Sequence, residues 1–266
     1  MKDVEKYTPT SLYSPKTKTT MTIVLIVVIG FYLVSSITTQ SFITNFFIKL
    51  PNIFELIYRF FPPNWAYANK VWPKLFETIQ MAVIATTVAT IVSIPLSLLA
   101  SRNITTNKIL YNIIRFFLNV LRTIPDIILA VVFVGLFGIG AFPGIVALII
   151  FSLGILAKLM SDTIEAIDMT PIEAMEASGA NRLQTIWYSV VPQILPQFVS
   201  FSLYVFEINI RASVVLGLVG AGGIGLLLSQ QINFFNYPSV TTITLIIFAV
   251  VVIIDYISGK IREGLL

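Results

Sequence analysis

Three groups of residues in this chain could do chemistry, and each sits in or beside an apolar run. Glu207 and Arg211 stand four apart inside the run that follows Pro196, so on a helix they share a face and can pair. Ionisable groups at membrane depth cost about 2.5–3.5 kcal/mol each on insertion scales and normally face a cavity or a partner. The pair is therefore expected either to line a polar path, with Arg211 meeting an anion, or only to orient its span. Arg122, beside Pro125 and Asp126, is the other arginine expected to reach the protein interior. The planar guanidinium fork suits an oxyanion, although Asp126 and Glu207 could neutralise the two arginines locally. The second group, Gly220-Ala221-Gly222-Gly223-Ile224-Gly225, matches G-x-G-x-x-G letter for letter. A dinucleotide site needs a strand before that run and an acidic residue about twenty positions on. Here the run follows an apolar span and the next acidic residue is Asp255. Close packing or a flexible gate at Gly220, Gly222, Gly223 and Gly225 is expected instead. The third group is a carboxylate cluster from Asp162 to Glu176. With no His and no Cys in the chain, imidazole, thiol and disulfide chemistry are excluded, and no catalytic, metal-binding or cofactor-binding residue is expected.

The elements that hold these groups are membrane helices. Of 266 residues 56% are hydrophobic and 11% charged, against about 25% charged in soluble domains. Mean hydropathy is +0.90. At roughly 20 apolar residues per crossing, six spans are predicted, at about 21–38, 77–101, 112–138, 142–161, 196–218 and 239–258. In the third, Tyr111 to Asn119 is expected along the interface, with a kink at Pro125. The run from Met21 to Ile37 is too long for a signal-peptide core and reads as a retained helix. The external segment to residue 76 is rich in aromatics, among them Phe42, Phe54, Trp65 and Trp72. Either an interfacial helix or a plain aromatic belt fits it. With the N-terminus inside, Lys2, Lys6, Lys16, Lys18, Arg102, Lys108, Arg115, Arg182, Lys260 and Arg262 fall on the cytoplasmic side. Only Lys49, Arg59, Lys70 and Lys74 fall outside. The positive-inside rule thus places both termini and the loop at 165–195 in the cytoplasm. The organisation is a tail (1–20), a first helix with its external segment (21–76), a core (77–258) and a C-terminal tail (259–266).

The loop is patterned. Thr170-Pro171-Ile172-Glu173 reads as a helix start with Thr170 as N-cap, Pro171 at the first position and Glu173 completing a capping box. Gly179 ends that helix in a left-handed conformation. Asn181 with Gln184 opens a second short helix, predicted to stop at Pro192. Ala174, Ala177 and Ala180 allow close approach, and Leu183, Ile186, Trp187 and Val190 form an apolar stripe.

The spacing Glu173-Ala174-Met175, Gly179, Val190-Val191-Pro192, ahead of the second-last span, resembles the E-A-A…G…L-P loop of ABC-importer permease subunits. Met175, Ser189 and Val191 depart mildly from that pattern. Asn209-Ile210-Arg211 with Gly217 to Gly225 is similar to the phosphonate-type permeases of the methionine-importer-like superfamily, as is Arg122-Thr123-Ile124-Pro125-Asp126. The resemblance covers about residues 77–258. It implies an all-α polytopic permease with six transmembrane helices and a cytoplasmic coupling-helix loop. Glu173, Ala174, Gly179, Leu183, Trp187 and Pro192 would dock on a separate dimeric ABC ATPase. Arg122, Glu207 and Arg211 would line the translocation path for phosphonates or related phosphorus oxyanions. It further implies an external substrate-binding protein, a second permease copy or close paralogue, and a prokaryotic cell membrane. No phosphate-binding G-x-x-x-x-G-K-[ST] loop occurs, in keeping with ATP hydrolysis by the partner, and no nucleic-acid partner is expected. The alternatives are the same permease class with another substrate such as an amino acid, an ATP-independent carrier or channel, and a lipid-directed membrane enzyme. The last lacks convergent acid–base residues.

Overall fold

The computed structural model describes residues 15–39 and 43–264, and among them every regular element is helical. Lys2 and Lys6 of the tail and Phe42 of the aromatic segment lie outside the described residues. The chain divides into two compact units between Tyr58 and Arg59. In the first, α1 (Pro15–Thr38) is long and apolar enough to cross a membrane. Its large side chains, such as Phe31, Leu33 and Val34, are exposed all round, which suits a lipid-facing helix. α2 (Ile43–Arg59) is amphipathic and exposes Phe47, Ile48, Phe54 and Tyr58.

The second unit holds the rest. A short 3₁₀ turn (Trp65–Tyr67) leads into α3 (Ala68–Leu99), followed by α4 (Lys108–Thr123), α5 (Asp126–Phe137) and α6 (Ala141–Glu165). Then come α7 (Thr170–Ala177), α8 (Arg182–Thr185), a π-helical turn (Ile186–Val190), α9 (Val191–Leu218), α10 (Gly223–Asn233) and α11 (Tyr237–Glu263). Among the described residues five helical runs are long and apolar enough to span a membrane, or six if the bent pair α4–α5 counts as one span.

The predicted kink at Pro125 is a full break, with α4 and α5 inclined at 86°. Pro125 has no N–H to continue α4, and its ring holds Ile124 extended (φ −84°, ψ 119°). α3 begins at Ala68, nine residues before the predicted start, because Val71 and Leu75 are buried against Ile224 and Ile243. Tertiary packing thus extends the helix through Pro73. α10 was not predicted at all. Its first amides are satisfied from α3: Gly223 N–H donates to Glu77 Oε1 (3.1 Å) and Ile224 N–H to Thr78 Oγ1 (2.8 Å). A helix start without a capping side chain needs such partners.

α3, α6 and α9 form the core. Ala85, Ala147, Leu148, Ala212 and Leu216 are buried where they meet, and small residues allow the close approach. Fully buried Asn209 bridges all three, accepting from Ser152 Oγ and donating to Thr86 Oγ1, each at 2.9 Å. Buried polar groups demand such pairing, so these bonds set the register of the helices.

Candidate functional site

The loop between α6 and α9 has a buried base and an exposed crest. Ile172 and Val190 are buried with Ile164, and Leu98, Ile104, Met169 and Ile194 pack around them. Each such side chain removed from water contributes about 1.5–3 kcal/mol. Polar clasps tie the base down. Ser189 Oγ donates to the Pro171 carbonyl (3.1 Å). Gln193 accepts from Asp168 N–H (3.1 Å) and donates to the Asp168 carbonyl (3.2 Å). All six loop residues singled out from the sequence, Glu173, Ala174, Gly179, Leu183, Trp187 and Pro192, are exposed. Leu183 and Trp187 are 79% and 66% exposed, and Tyr188 beside them 67%.

Gly179 has φ +84°, with Gly179 N–H bonded to the Glu176 carbonyl and Ala180 N–H to the Met175 carbonyl. These are the two bonds of a Schellman end. The N-terminal cap differs from expectation. Thr170 already belongs to α7 and makes no capping box. Asp168 Oδ1 instead accepts from both Thr170 N–H (3.0 Å) and Thr170 Oγ1 (2.8 Å). Those two bonds stabilise the carboxylate and hold its pKa below the ordinary aspartate range. The second cap is present in full, with Asn181 and Gln184 bonding reciprocally.

Two further expectations are corrected here. Pro192 does not stop the second helix, which runs through the π turn into α9. Val191 N–H reaches back five residues to the Ile186 carbonyl, and this wide turn admits a ring that an ordinary helix excludes. Nor do the four apolar loop residues make one stripe. Leu183 and Trp187 face out, while Ile186 and Val190 pack into the base.

The predicted Glu207–Arg211 pair is not formed. Glu207, 5% exposed, accepts from Arg262 Nη2 at 2.8 Å, and Arg211 lies 3.6 Å from Asp255. Both partners come from α11, so two interhelical bridges replace one bond along α9. Four-residue spacing permits a pair but does not compel it when a neighbouring helix offers better-placed charges. Asp126 likewise does not neutralise Arg122. Its carboxylate accepts from Ile127 N–H, and among the described residues no carboxylate pairs with Arg122.

The glycine run makes a turn between α9 and α10. Gly220, Gly222 and Gly223 have positive φ. A Cβ on Gly217 would lie 2.5 Å from the Gly222 carbonyl oxygen, and one on Gly225 would collide with the Val214 carbonyl. Gly140 N–H donates to the Gly220 carbonyl (3.0 Å), joining this turn to the one between α5 and α6.

A cavity of about 390 Å³ opens between the end of α4, α6 and α9, lined by Arg122, Lys158, Asp162, Tyr204 and Ile208 among others. Lys158 pairs with Asp162 (2.5 Å). Asp162 also pairs with Arg115 (3.0 Å), which in turn holds Glu165 (2.8 Å).

Residues 93–262, well over half of the chain and carrying the whole loop, Arg122 and both interhelical bridges, match the family described as binding-protein-dependent transport system inner membrane component. The chain belongs to this family. The permease is 37% identical over 215 residues to the phosphite transport system permease protein PtxC of Stutzerimonas stutzeri, covering 80% of this chain and 78% of that one. It is 40% identical over 208 residues to the phosphate-import permease protein PhnE of Mycolicibacterium smegmatis, covering 78% of this chain and 39% of that protein. Among solved structures, the inward-facing MetNI methionine ABC transporter shares the fold, with a TM-score of 0.65 at 24% identity over 74% of this chain and 96% of that one. The permease is thus a multi-pass membrane protein of the ABC-importer type. Sequence reasoning missed the α11 partners Asp255 and Arg262, the core residue Asn209, and the neighbours of Arg122. Lys158, a lone cation within an apolar run, carried a legible signal. Tyr204 carried none.

Proposed function

We propose that this permease forms the translocation path of an ATP-driven importer for phosphorus oxyanions, and that its 165–195 loop docks a separate ATPase dimer. The observation that carries the coupling reading is the loop's construction. Leu183, on α8, and Trp187 and Tyr188, on the π turn that follows it, are exposed above a base that is buried and clasped. Large apolar side chains held out on a rigid support are the features of a protein interface. The substrate class rests on relatives named for phosphite and phosphate. An external binding protein delivers the solute, and a second permease copy or close paralogue supplies the second loop for the second ATPase subunit. The surplus of Lys and Arg on the loop side and both tails supports cytoplasmic termini, and the bacterial relatives suit a prokaryotic cell membrane.

The test is transport by proteoliposomes holding the permease, its ATPase and its binding protein. ATP-dependent uptake of phosphite, phosphate or methylphosphonate is expected, with none of methionine. Uptake that ignores ATP, or that favours an amino acid, overturns the proposal. For orientation, Ser178→Cys should resist an impermeant thiol reagent in intact cells while Asn64→Cys is labelled. The reverse pattern removes any route to a cytoplasmic ATPase.

A further inference from the structure

The cavity lined by Arg122 and Lys158 carries an assignment that the family match does not. Its position is fixed by close packing. The backbone at Arg122 lies against Gly154 of α6, where a Cβ would stand 3.2 Å from the Arg122 nitrogen. Gly154 is about 16 Å of helix from the Glu165 end at 1.5 Å per residue, well inside the span. Arg122 is exposed there without a carboxylate partner among the described residues. Of the charged side chains that line the cavity, Arg122 and Lys158 are cationic and Asp162 is the one carboxylate. One positive charge is left uncompensated at a depth where charge is expensive, and an anion in the cavity would neutralise it. The lining divides cleanly, with Phe151, Ile155, Leu159 and Ile208 apolar and Arg122, Lys158, Asp162 and Tyr204 polar.

A second, wide-open depression of about 610 Å³ shares Leu159 and Asp162 with the first and extends along the surface of α6 and α9 past Gln197 to Gln193 and Asp168. Its end is therefore the clasp that anchors the docking loop. Along this route the charge changes sign, from Arg122 and Lys158 to Asp162 and Asp168.

We propose that the cavity between α4, α6 and α9 is an oxyanion station in the translocation path, held by Arg122 and Lys158, and that Asp162 is the counter-ion that yields Lys158 to the passing anion. This rests on the importer reading above. Asp162 keeps Arg115 when Lys158 turns to the anion, so neither charge is left bare. Beyond the station the carboxylates of Asp162 and Asp168 repel the anion, which speeds its release at the loop end and prevents a deep trap. Arg122 supplies a forked donor and Lys158 a point charge, a pairing suited to a tetrahedral oxyanion. Specific capture remains with the binding protein.

The test uses the complete transporter in proteoliposomes, with phosphite as the probe. Arg122→Gln and Lys158→Gln should each lower phosphite transport about ten- to hundredfold, the loss of one charge-assisted hydrogen bond in transit. Stimulation of the ATPase by the loaded binding protein should persist, and Lys158→Arg should transport well. If the Arg122→Gln, Lys158→Gln double variant assembles and transports within twofold of the unmodified complex, the station is refuted. If the unmodified complex moves no phosphorus oxyanion, the substrate class itself fails, and the station with it. A second measurement needs no charge removal. The chain has no cysteine, so Ile155→Cys gives a single thiol in the cavity. Phosphite should slow its labelling by a thiol reagent, whereas chloride at equal ionic strength should not. An unchanged labelling rate refutes the assignment.

Discussion

Removing Arg262 should harm this protein more than removing Glu207, and removing both should harm it less than removing Arg262 alone. The Glu207 side chain is 6% exposed and the Arg262 side chain 29%, with 2.8 Å between Oε1 and Nη2. Arg262→Gln strands a buried carboxylate, a loss of about 3–5 kcal/mol. Glu207→Gln strands a guanidinium one residue from the end of α11, which can turn toward water, so the loss is about 1–2 kcal/mol. In the double variant two neutral amides of similar shape remain, and the coupling energy between the sites should be about 2–3 kcal/mol. The assay is thermal unfolding of the purified permease in detergent, followed by circular dichroism. At about 2–4 °C per kcal/mol, Arg262→Gln should lower the midpoint by roughly 10 °C and the double variant by about 2–4 °C less than that. The control cycle pairs Glu207→Gln with Arg211→Gln. Arg211 lies 3.6 Å from Asp255 and so has a partner of its own that is not Glu207. Its coupling to Glu207 should stay within about 0.5 kcal/mol. Additive losses in the first cycle together with strong coupling in the second would refute the interhelical pairing.

Three further outcomes are expected. Nothing lies within 4 Å of a Cβ built on Gly179, but its φ is +84°, so a side chain there costs backbone strain of about 1–2 kcal/mol. Gly179→Val should lower the unfolding midpoint by about 2–8 °C and weaken ATPase association about 5- to 30-fold, while Gly179→Asn stays near the unmodified value in both; equal binding by all three removes the elbow from the docking surface. Gly225→Ala should lower the yield and thermal stability of the folded permease sharply, because the added methyl meets the Val214 carbonyl. Gly135→Ala, with open space around it, should be neutral, and matched behaviour of the two contradicts the tight turn. The Asp168 carboxylate is held below the ordinary aspartate range by Thr170. Its contribution is therefore complete at neutral pH and is lost as the pH falls through its depressed folded value. Amide exchange at the start of α7, corrected for intrinsic rates, should quicken in that acid window, and Asp168→Asn should abolish the pH dependence.

The helical class, the membrane location and the position of the loop were legible in the sequence, because they depend on local properties. Runs of about 20 apolar residues state their own environment. Gly179 announces a left-handed helix end, and Asn181 with Gln184 announces a cap. Pro125 announced a bend, since a missing N–H and a ring clash act within one turn, although the 86° of that bend went beyond the expected kink. What failed depended on neighbours distant in the chain. Glu207 chose Arg262, 55 residues away, over Arg211 in its own helix, because α11 packs beside α9. Thr170 is bonded from outside the helix by Asp168, whose backbone Gln193 of α9 clasps. Pro192 passed into a continuous helix because a π turn made room for it. α10 emerged from a glycine run only because Glu77 and Thr78 of α3 satisfy its first amides. Tertiary structure alone gathered Arg122, Lys158 and Tyr204 around one cavity. A charge's partner is whichever opposite charge the packing brings within reach, and spacing along one helix cannot specify what another helix will present.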